Sequence, residues 1–151
     1  MLALNLPEYP TKVKIVEGKK TIFDEIRRQY VALTPEEWVR QHFVHFLIHQ
    51  KGYSKSLMGN EVLINLNNQR RRCDTVVYNN RLEPLMIIEY KAPDVKITQE
   101  VFNQIYHYNI VLRANYLVVS NGLHHFCCKL DYENQNYHFL NDIPAYPELR
   151  K

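Results

Sequence analysis

Asp74 and Glu89 stand fifteen residues apart, and Lys91 follows Glu89 by two. Both acids lie in β-forming runs, Arg72-Cys73-Asp74-Thr75-Val76-Val77-Tyr78 and Pro84-Leu85-Met86-Ile87-Ile88-Glu89-Tyr90-Lys91. Asn79-Asn80 ends the first run, so the two can pair as antiparallel neighbours. Glu89 and Lys91 leave the same face of their strand, because side chains alternate with period two. A carboxylate and an ammonium at the end of an apolar strand are costly unless paired or bound to metal. Two carboxylates converging from adjacent strands repel, and a divalent cation removes the repulsion. Hard oxygen donors favour Mg2+ or Mn2+. A cation beside a metal-bound water lowers the pKa of that water or stabilises charge growing on phosphate oxygens. Two acids, a metal and Lys91 are therefore a minimal set for phosphodiester hydrolysis. Plainer readings of the same residues are an ion pair between Glu89 and Lys91, and a pair between Asp74 and Arg72 on one face.

The elements that must position this set begin at Thr34-Pro35-Glu36-Glu37, which reads as N-cap, first helical proline and capping-box glutamate. Trp38, Val39, Phe43, Phe46 and Leu47 follow with a period near 3.6, and Gly52 is a stop, predicting a helix over about 35–50. Glu61 to Leu66 alternates as a strand before a polar turn at Asn67, Asn68 and Gln69. The run from Pro84 is apolar enough for a central strand buried on both faces. Thr98 to Ala114 is helical, with Val101, Phe102, Ile105, Tyr108 and Leu112 on one side. Tyr116 to Ser120 is a strand, Asn121-Gly122 signals a two-residue hairpin into Leu123–Leu130, and Tyr137 to Leu140 is a candidate for one further strand beyond these. Pro144 and Pro147 predict an irregular tail. Residues 1–33 read as a lead-in to the same domain, with Val13–Val16 as a short edge strand and weak helical spacing at Ile22, Phe23, Ile26 and Tyr30. The order α-β-β-β-α-β-β predicts one α/β domain, its body at 34–151, built as a mixed central β-sheet flanked by helices.

On these residues the chain resembles the PD-(D/E)XK nuclease superfamily. More closely, Thr34-Pro35-Glu36-Glu37-x-Val39-Arg40, Arg72-x-Asp74, Ile88-Glu89-x-Lys91-Ala92-Pro93, Gln104-x3-Tyr108 and Ser120-Asn121-Gly122 resemble the N-terminal nuclease domain of type I restriction enzyme R (motor) subunits, in a small stand-alone form. The resemblance spans roughly residues 30–130. It implies a restriction-endonuclease-like α/β/α sandwich and metal-dependent DNA endonuclease chemistry that leaves a 5′-phosphate. Asp74, Glu89 and Lys91 would be catalytic. Asp74, Glu89, the backbone carbonyl of Tyr90 and Glu37 would hold Mg2+, with Mn2+ as a substitute. Gln104 and Tyr108, on one helix face at i, i+4, would orient substrate or Lys91. The implied partners are DNA and other restriction or repair subunits. Cys73 stands where the superfamily's name has proline. Glu37 is equally accounted for by capping, and Gln104 with Tyr108 by an incidental polar pair. A rival of another class is a nuclease-derived fold kept as a catalytically weak nucleic-acid-binding or assembly module; RNA cleavage is a third reading.

Arg70-Arg71-Arg72 precedes Asp74, either as a solvated turn or as a mouth that neutralises DNA phosphates. Lys96 and Arg113 are weaker candidates of that kind. His42, His45 and His49 share a helix face suited to zinc, but no Cys or acidic neighbour in sequence completes a ligand set, and they read as packing or surface histidines, as do His124 and His125. Cys73, Cys127 and Cys128 form no C-x-x-C pair and read as reduced packing residues, the adjacent two facing opposite ways. Over 151 residues, 46% hydrophobic and 23% charged content excludes disorder and collagen-like structure. A net charge of +3 permits nucleic-acid binding without arguing for it. No apolar run reaches the roughly 18 residues of a membrane helix. Met1 to Leu6 is too short for a signal peptide, so the expectation is a cytoplasmic protein that does not engage membranes.

Overall fold

The computed structural model describes residues 2–149. Its centre is a six-stranded sheet of β4 (Met58–Leu66), β5 (Gln69–Tyr78), β6 (Pro84–Tyr90), β7 (Tyr116–Ser120), β8 (His125–Asp131) and β9 (Asn136–Leu140), in that spatial order. β6 and β7 run parallel and every other neighbouring pair antiparallel, so the sheet is mixed as expected. A parallel pair needs a long crossover. Helix α2 (Gln99–Asn109) lies within that crossover.

Alternation along the central strands sends side chains to two cores. Met86, Ile88, Tyr90, Val118 and Cys127 join Val39, Phe43, Val44 and Leu47 of helix α1 (Pro35–Gln50). Ile87, Leu117, Val119 and Cys128 join Phe102 and Tyr106 of α2. The helices thus cover opposite faces of the sheet. Cys127 and Cys128 point to opposite cores, and all three cysteines are free and buried.

Local signals explain the helix limits. Thr34 Oγ1 accepts from the Glu37 amide at 3.0 Å and Pro35 occupies the first turn, while Gly52 follows the helix at φ 74°. Helix α2 is shorter than the predicted 98–114. A single 3-10 turn, Ile110–Leu112, follows it, and Arg113 at φ 60° then reverses the chain toward β7. The Asn121-Gly122 hairpin is wider than two residues: the ladder closes at Ser120↔His125. Asn121 Oδ1 accepts from the Leu123 and His124 amides, a side-chain turn that replaces the tight hairpin.

The lead-in departs most from expectation. Val13–Val16 is a strand (β1), but the weak helical spacing after it is overturned by two more strands, β2 (Lys19–Asp24) and β3 (Gln29–Ala32), in a separate antiparallel sheet. Glu17 and Gly18, at φ 50° and 78°, form the two-residue loop between β1 and β2, and positive φ at both positions suits the twist of a hairpin. The apolar spacing read as helical is strand alternation that buries Ile22 and Asp24.

Asp24 anchors this small sheet. Its carboxylate is fully buried and accepts from the Ile26 and Arg27 amides, the Arg27 guanidinium and Asn60 Nδ2. Asn60 Oδ1 in turn accepts from Thr75 Oγ1, and Thr75 Oγ1 from the Tyr90 hydroxyl. Burial alone would raise the Asp24 pKa, but the hydrogen bonds from Arg27 and Asn60 hold it below the usual carboxylate range. Its stabilising effect is therefore present at neutral pH and fades as the solution becomes acid enough to protonate it. We expect Asp24→Ala to cost about 3–5 kcal/mol, because it strands buried donors of Arg27 and Asn60; urea unfolding at pH 7 measures it.

Candidate active site

β6 carries Glu89 out of its apolar run at its C-terminal end, just where the chain leaves for the crossover. Ligand sites in sheets with parallel strands gather at such carboxyl ends. Glu89 and Lys91 line a cavity of about 380 Å³ together with Arg72, Asp74, Tyr90, Gln104, Ile105, Tyr108 and Asn109. The Tyr90 side chain packs in the opposite core, with its hydroxyl on Thr75, so its main chain is what faces the cavity.

Asp74 is aimed by two contacts. Its Oδ2 accepts from the Tyr90 amide at 2.9 Å, which pins the carboxylate across β5 and β6. Its main-chain carbonyl accepts from Arg40 Nη1 at 2.7 Å. Opposite it, Glu61 adopts φ 55°, and the β4–β5 ladder passes from Asn60↔Thr75 to Val62↔Cys73 without a Glu61–Asp74 pair. The local break in the sheet thus coincides with the acid it presents.

Glu89 is held close to Asp74. Burial first, and then the Asp74 carboxylate, raise its pKa far above the ordinary 4.5, while the Asn109 amide works in the other direction. Asn109 Oδ1 is, among the described residues, the one buried side-chain polar atom without a hydrogen-bond partner. An acid pair that resists full ionisation is a set of oxygen donors whose repulsion a divalent cation would relieve. Cys73 is a neutral packing residue here, its thiol pushed up to about 12 by burial and the two acids.

Neither plainer pairing forms among the described residues: the ion pairs present join Lys91 to neither acid and Asp74 to no Arg. Arg72 instead faces Glu61, at 3.8 Å. The basic run is not a turn but part of β5. Arg70 and Arg72 are exposed, and the Arg71 guanidinium stacks 4.6 Å from the Tyr108 ring centre while its Nε donates to the Tyr108 carbonyl. Lys96 and Arg113 are not among the cavity's lining residues.

Glu37 is not brought to this cavity. Its carboxylate accepts from Arg40 Nε and Nη2, Arg27 Nη2 and Gln41 Nε2, all at 2.7–3.0 Å. Nor does it complete the expected capping box, since the Thr34 amide donates to the Ala32 carbonyl. Glu37 holds Arg40, and Arg40 holds the Asp74 main chain and Glu61. Burial works against its charge, but Arg40, Gln41 and Arg27 keep its pKa low. Arg40, which the resemblance includes without a role, and Asn109 carry contacts that no sequence motif assigns. Asn109 lies about 100° around the helix from Tyr108, with its Nδ2 donating to the Ile105 carbonyl at 2.9 Å, so the i, i+4 spacing of Gln104 and Tyr108 does not point to it.

The profile of the type I restriction enzyme R protein N terminus (HSDR_N) family matches residues 35–144. The chain belongs to that family. Among solved structures, it superposes with a TM-score of 0.53 on a fragment of a protein assigned as the HsdR subunit of a type I restriction enzyme from Vibrio vulnificus YJ016. The two are 16% identical, and the match covers 78% of this chain but 24% of that one. No curated protein matches. The α/β/α arrangement is therefore restriction-endonuclease-like, as the R-subunit resemblance implied. No helix among the described residues is long and apolar enough to cross a membrane.

The raised Glu89 pKa has a consequence for stability. Between pH 4.5 and about 9 the folded state holds a proton that the unfolded chain releases, so the metal-free protein loses stability as pH rises through that window. Glu89→Gln removes the loss. We expect its Tm at pH 8 to exceed that of wild type by roughly 2–8 °C, or about 1–2 kcal/mol in a domain this size, with the gap closing at pH 4.5. Equal melting of the two proteins at pH 8 would show that Glu89 carries its charge at no cost.

Proposed function

We propose that the Asp74–Glu89–Lys91 cavity hydrolyses phosphodiester bonds in DNA with Mg2+, Mn2+ serving as a substitute, as the nuclease part of a type I restriction enzyme R-subunit-like protein. The observation that carries this reading is the enforced proximity of two acids, Glu89 having its pKa raised by burial first and then by the Asp74 carboxylate, in a cavity also lined by Lys91, which among the described residues forms no ion pair. Family membership supports it independently. A divalent ion would be held by Asp74, Glu89 and the Tyr90 carbonyl, with Asn109 Oδ1 as a further oxygen at the site, and would supply an activated water and charge neutralisation at phosphorus.

The remaining work falls to the chain. The Tyr90 amide and Arg40 keep Asp74 from turning away from Glu89. Lys91 stabilises charge growing on the non-bridging phosphate oxygens or holds the attacking water by its ammonium. Gln104 and Tyr108 border the cavity from α2 and orient the substrate or Lys91. Arg70 and Arg72, exposed on β5, neutralise phosphates along the backbone and fix its position without reading bases. Glu37 acts through Arg40 rather than on the ion. The chain spans about a quarter of the length of the similar HsdR structure. We accordingly assign translocation and base recognition to other segments or subunits that work with it.

Plasmid nicking tests the reading. Purified protein with Mg2+ or Mn2+ is expected to convert supercoiled DNA to open circles. Asp74→Asn and Lys91→Ala are each expected to lower the rate by at least about 100-fold, the scale of a lost electrostatic or acid–base contribution, with circular dichroism unchanged. Nicking by both variants at the wild-type rate would remove the assignment. Binding of DNA without turnover in wild type would favour the assembly-module alternative, and preference for single-stranded RNA would redirect the substrate class.

A further inference from the structure

A second donor cluster lies at the other end of α1, away from the cavity. Glu25 from the β2–β3 turn, His45 and His49 each offer one ligand atom, and these atoms lie within 4.8 Å of one another. None of the three lines the Asp74 cavity. His45 and His49 are one helical turn apart with ring centres 4.0 Å apart, and Tyr9 stacks on His45 at 4.0 Å. His42, their neighbour in sequence, is not part of the group, and its Nδ1 is engaged by the Trp38 carbonyl at 2.8 Å. Glu25, Tyr9 and His45 also line an open cavity of about 410 Å³ with room for a water or small ligand.

We infer that Glu25, His45 and His49 form a binding site for a borderline transition-metal cation such as Zn2+. Two imidazole nitrogens and one carboxylate oxygen are a recurrent three-ligand set for zinc, with the fourth position left to water. Nitrogen donors select against Mg2+, so this site and the oxygen-donor cavity differ in the ion they prefer. Neutral imidazole is the ligating form. Zinc ligands at about 2.0–2.2 Å from the ion stand some 3.3–3.5 Å apart in a tetrahedron. The widest separation in the cluster must therefore close by at most about 1.5 Å, which side-chain rotation of the exposed His49 and half-buried Glu25 provides.

The present arrangement already places a cation against the acid. Lys55 Nζ lies 3.5 Å from Glu25 Oε2, with its side chain 57% exposed. A metal ion would take the place of that ammonium. Bound there, it would tie the β2–β3 turn to the last turns of α1, coupling the small N-terminal sheet to the helix whose Arg40 steadies Asp74. Metal binding to such a set is folding free energy.

The experiment is titration of the tag-free 151-residue chain with Zn2+ by calorimetry, and with Co2+ by visible absorption. It is run in an Asp74→Asn/Glu89→Gln background so that the cavity contributes no carboxylate. We expect one Zn2+ per chain, Co2+ bands of nitrogen-ligated metal, and affinity reduced at least about 10–100-fold by His49→Ala and by Glu25→Gln. Lys55→Ala, which removes the competing ammonium, is expected to tighten binding. His49 is exposed, so its variant keeps the wild-type circular dichroism and metal-free Tm. No binding in the background protein, or binding that survives both His49→Ala and Glu25→Gln, overturns the site. Both results leave the nuclease proposal to its own test.

Discussion

Two carboxylates brought to one face of a sheet, at the end of a strand otherwise buried, are the constraint around which this domain is arranged. Asp74 and Glu89 would separate if their strands were free to shift. They are kept together by register: β5 and β6 pair antiparallel through Thr75↔Ile88, Val76↔Ile87 and Val77↔Met86. The bond from the Tyr90 amide to Asp74 closes the arrangement. A one-residue slip would turn every one of these side chains to the opposite face. The alternate apolar residues in two separate cores make that slip expensive. The hydrophobic cores therefore hold the acids against their own repulsion.

Behind the acids runs a polar network that also depends on those cores. Arg40 joins Glu37, Glu61 and the Asp74 carbonyl, while Arg27 joins Glu37 and Asp24. Buried charges of this kind add little stability when replaced as a set by apolar groups, but removal of one partner is costly. Their value here is positional. They connect the N-terminal sheet, the first helix and the break in β4 opposite Asp74. The same region that anchors the small sheet thereby supports the cavity from the far side of the main sheet.

Much of this was legible in the residue order. The helix over 35–50, the strands around Asp74 and Glu89, and the shared face of Glu89 and Lys91 follow from capping chemistry and from periods of 3.6 and two, which are local properties. Family membership was legible as well, because Arg72-x-Asp74, Glu89-x-Lys91 and Gln104-x3-Tyr108 recur in order. The lead-in was not legible, because Ile22, Phe23, Ile26 and Tyr30 fit a helical spacing by coincidence, while the turn that decides it is the modest Glu17-Gly18. The surroundings of Glu37 were not legible, because its position on α1 says nothing of which layer its carboxylate enters. Its partners Arg27 and Arg40 decide that.

What the sequence determined by itself was the identity and local spacing of the chemical groups, since a strand's alternation and a helix's turn are set within a few residues. Only the tertiary structure decided which groups meet. Asn109 faces Glu89, Arg40 grips the main chain of Asp74, and Glu25 arrives beside His45 and His49 from a turn some twenty residues away in the chain. Such meetings depend on how sheets and helices pack, through contacts between distant segments that no local pattern encodes.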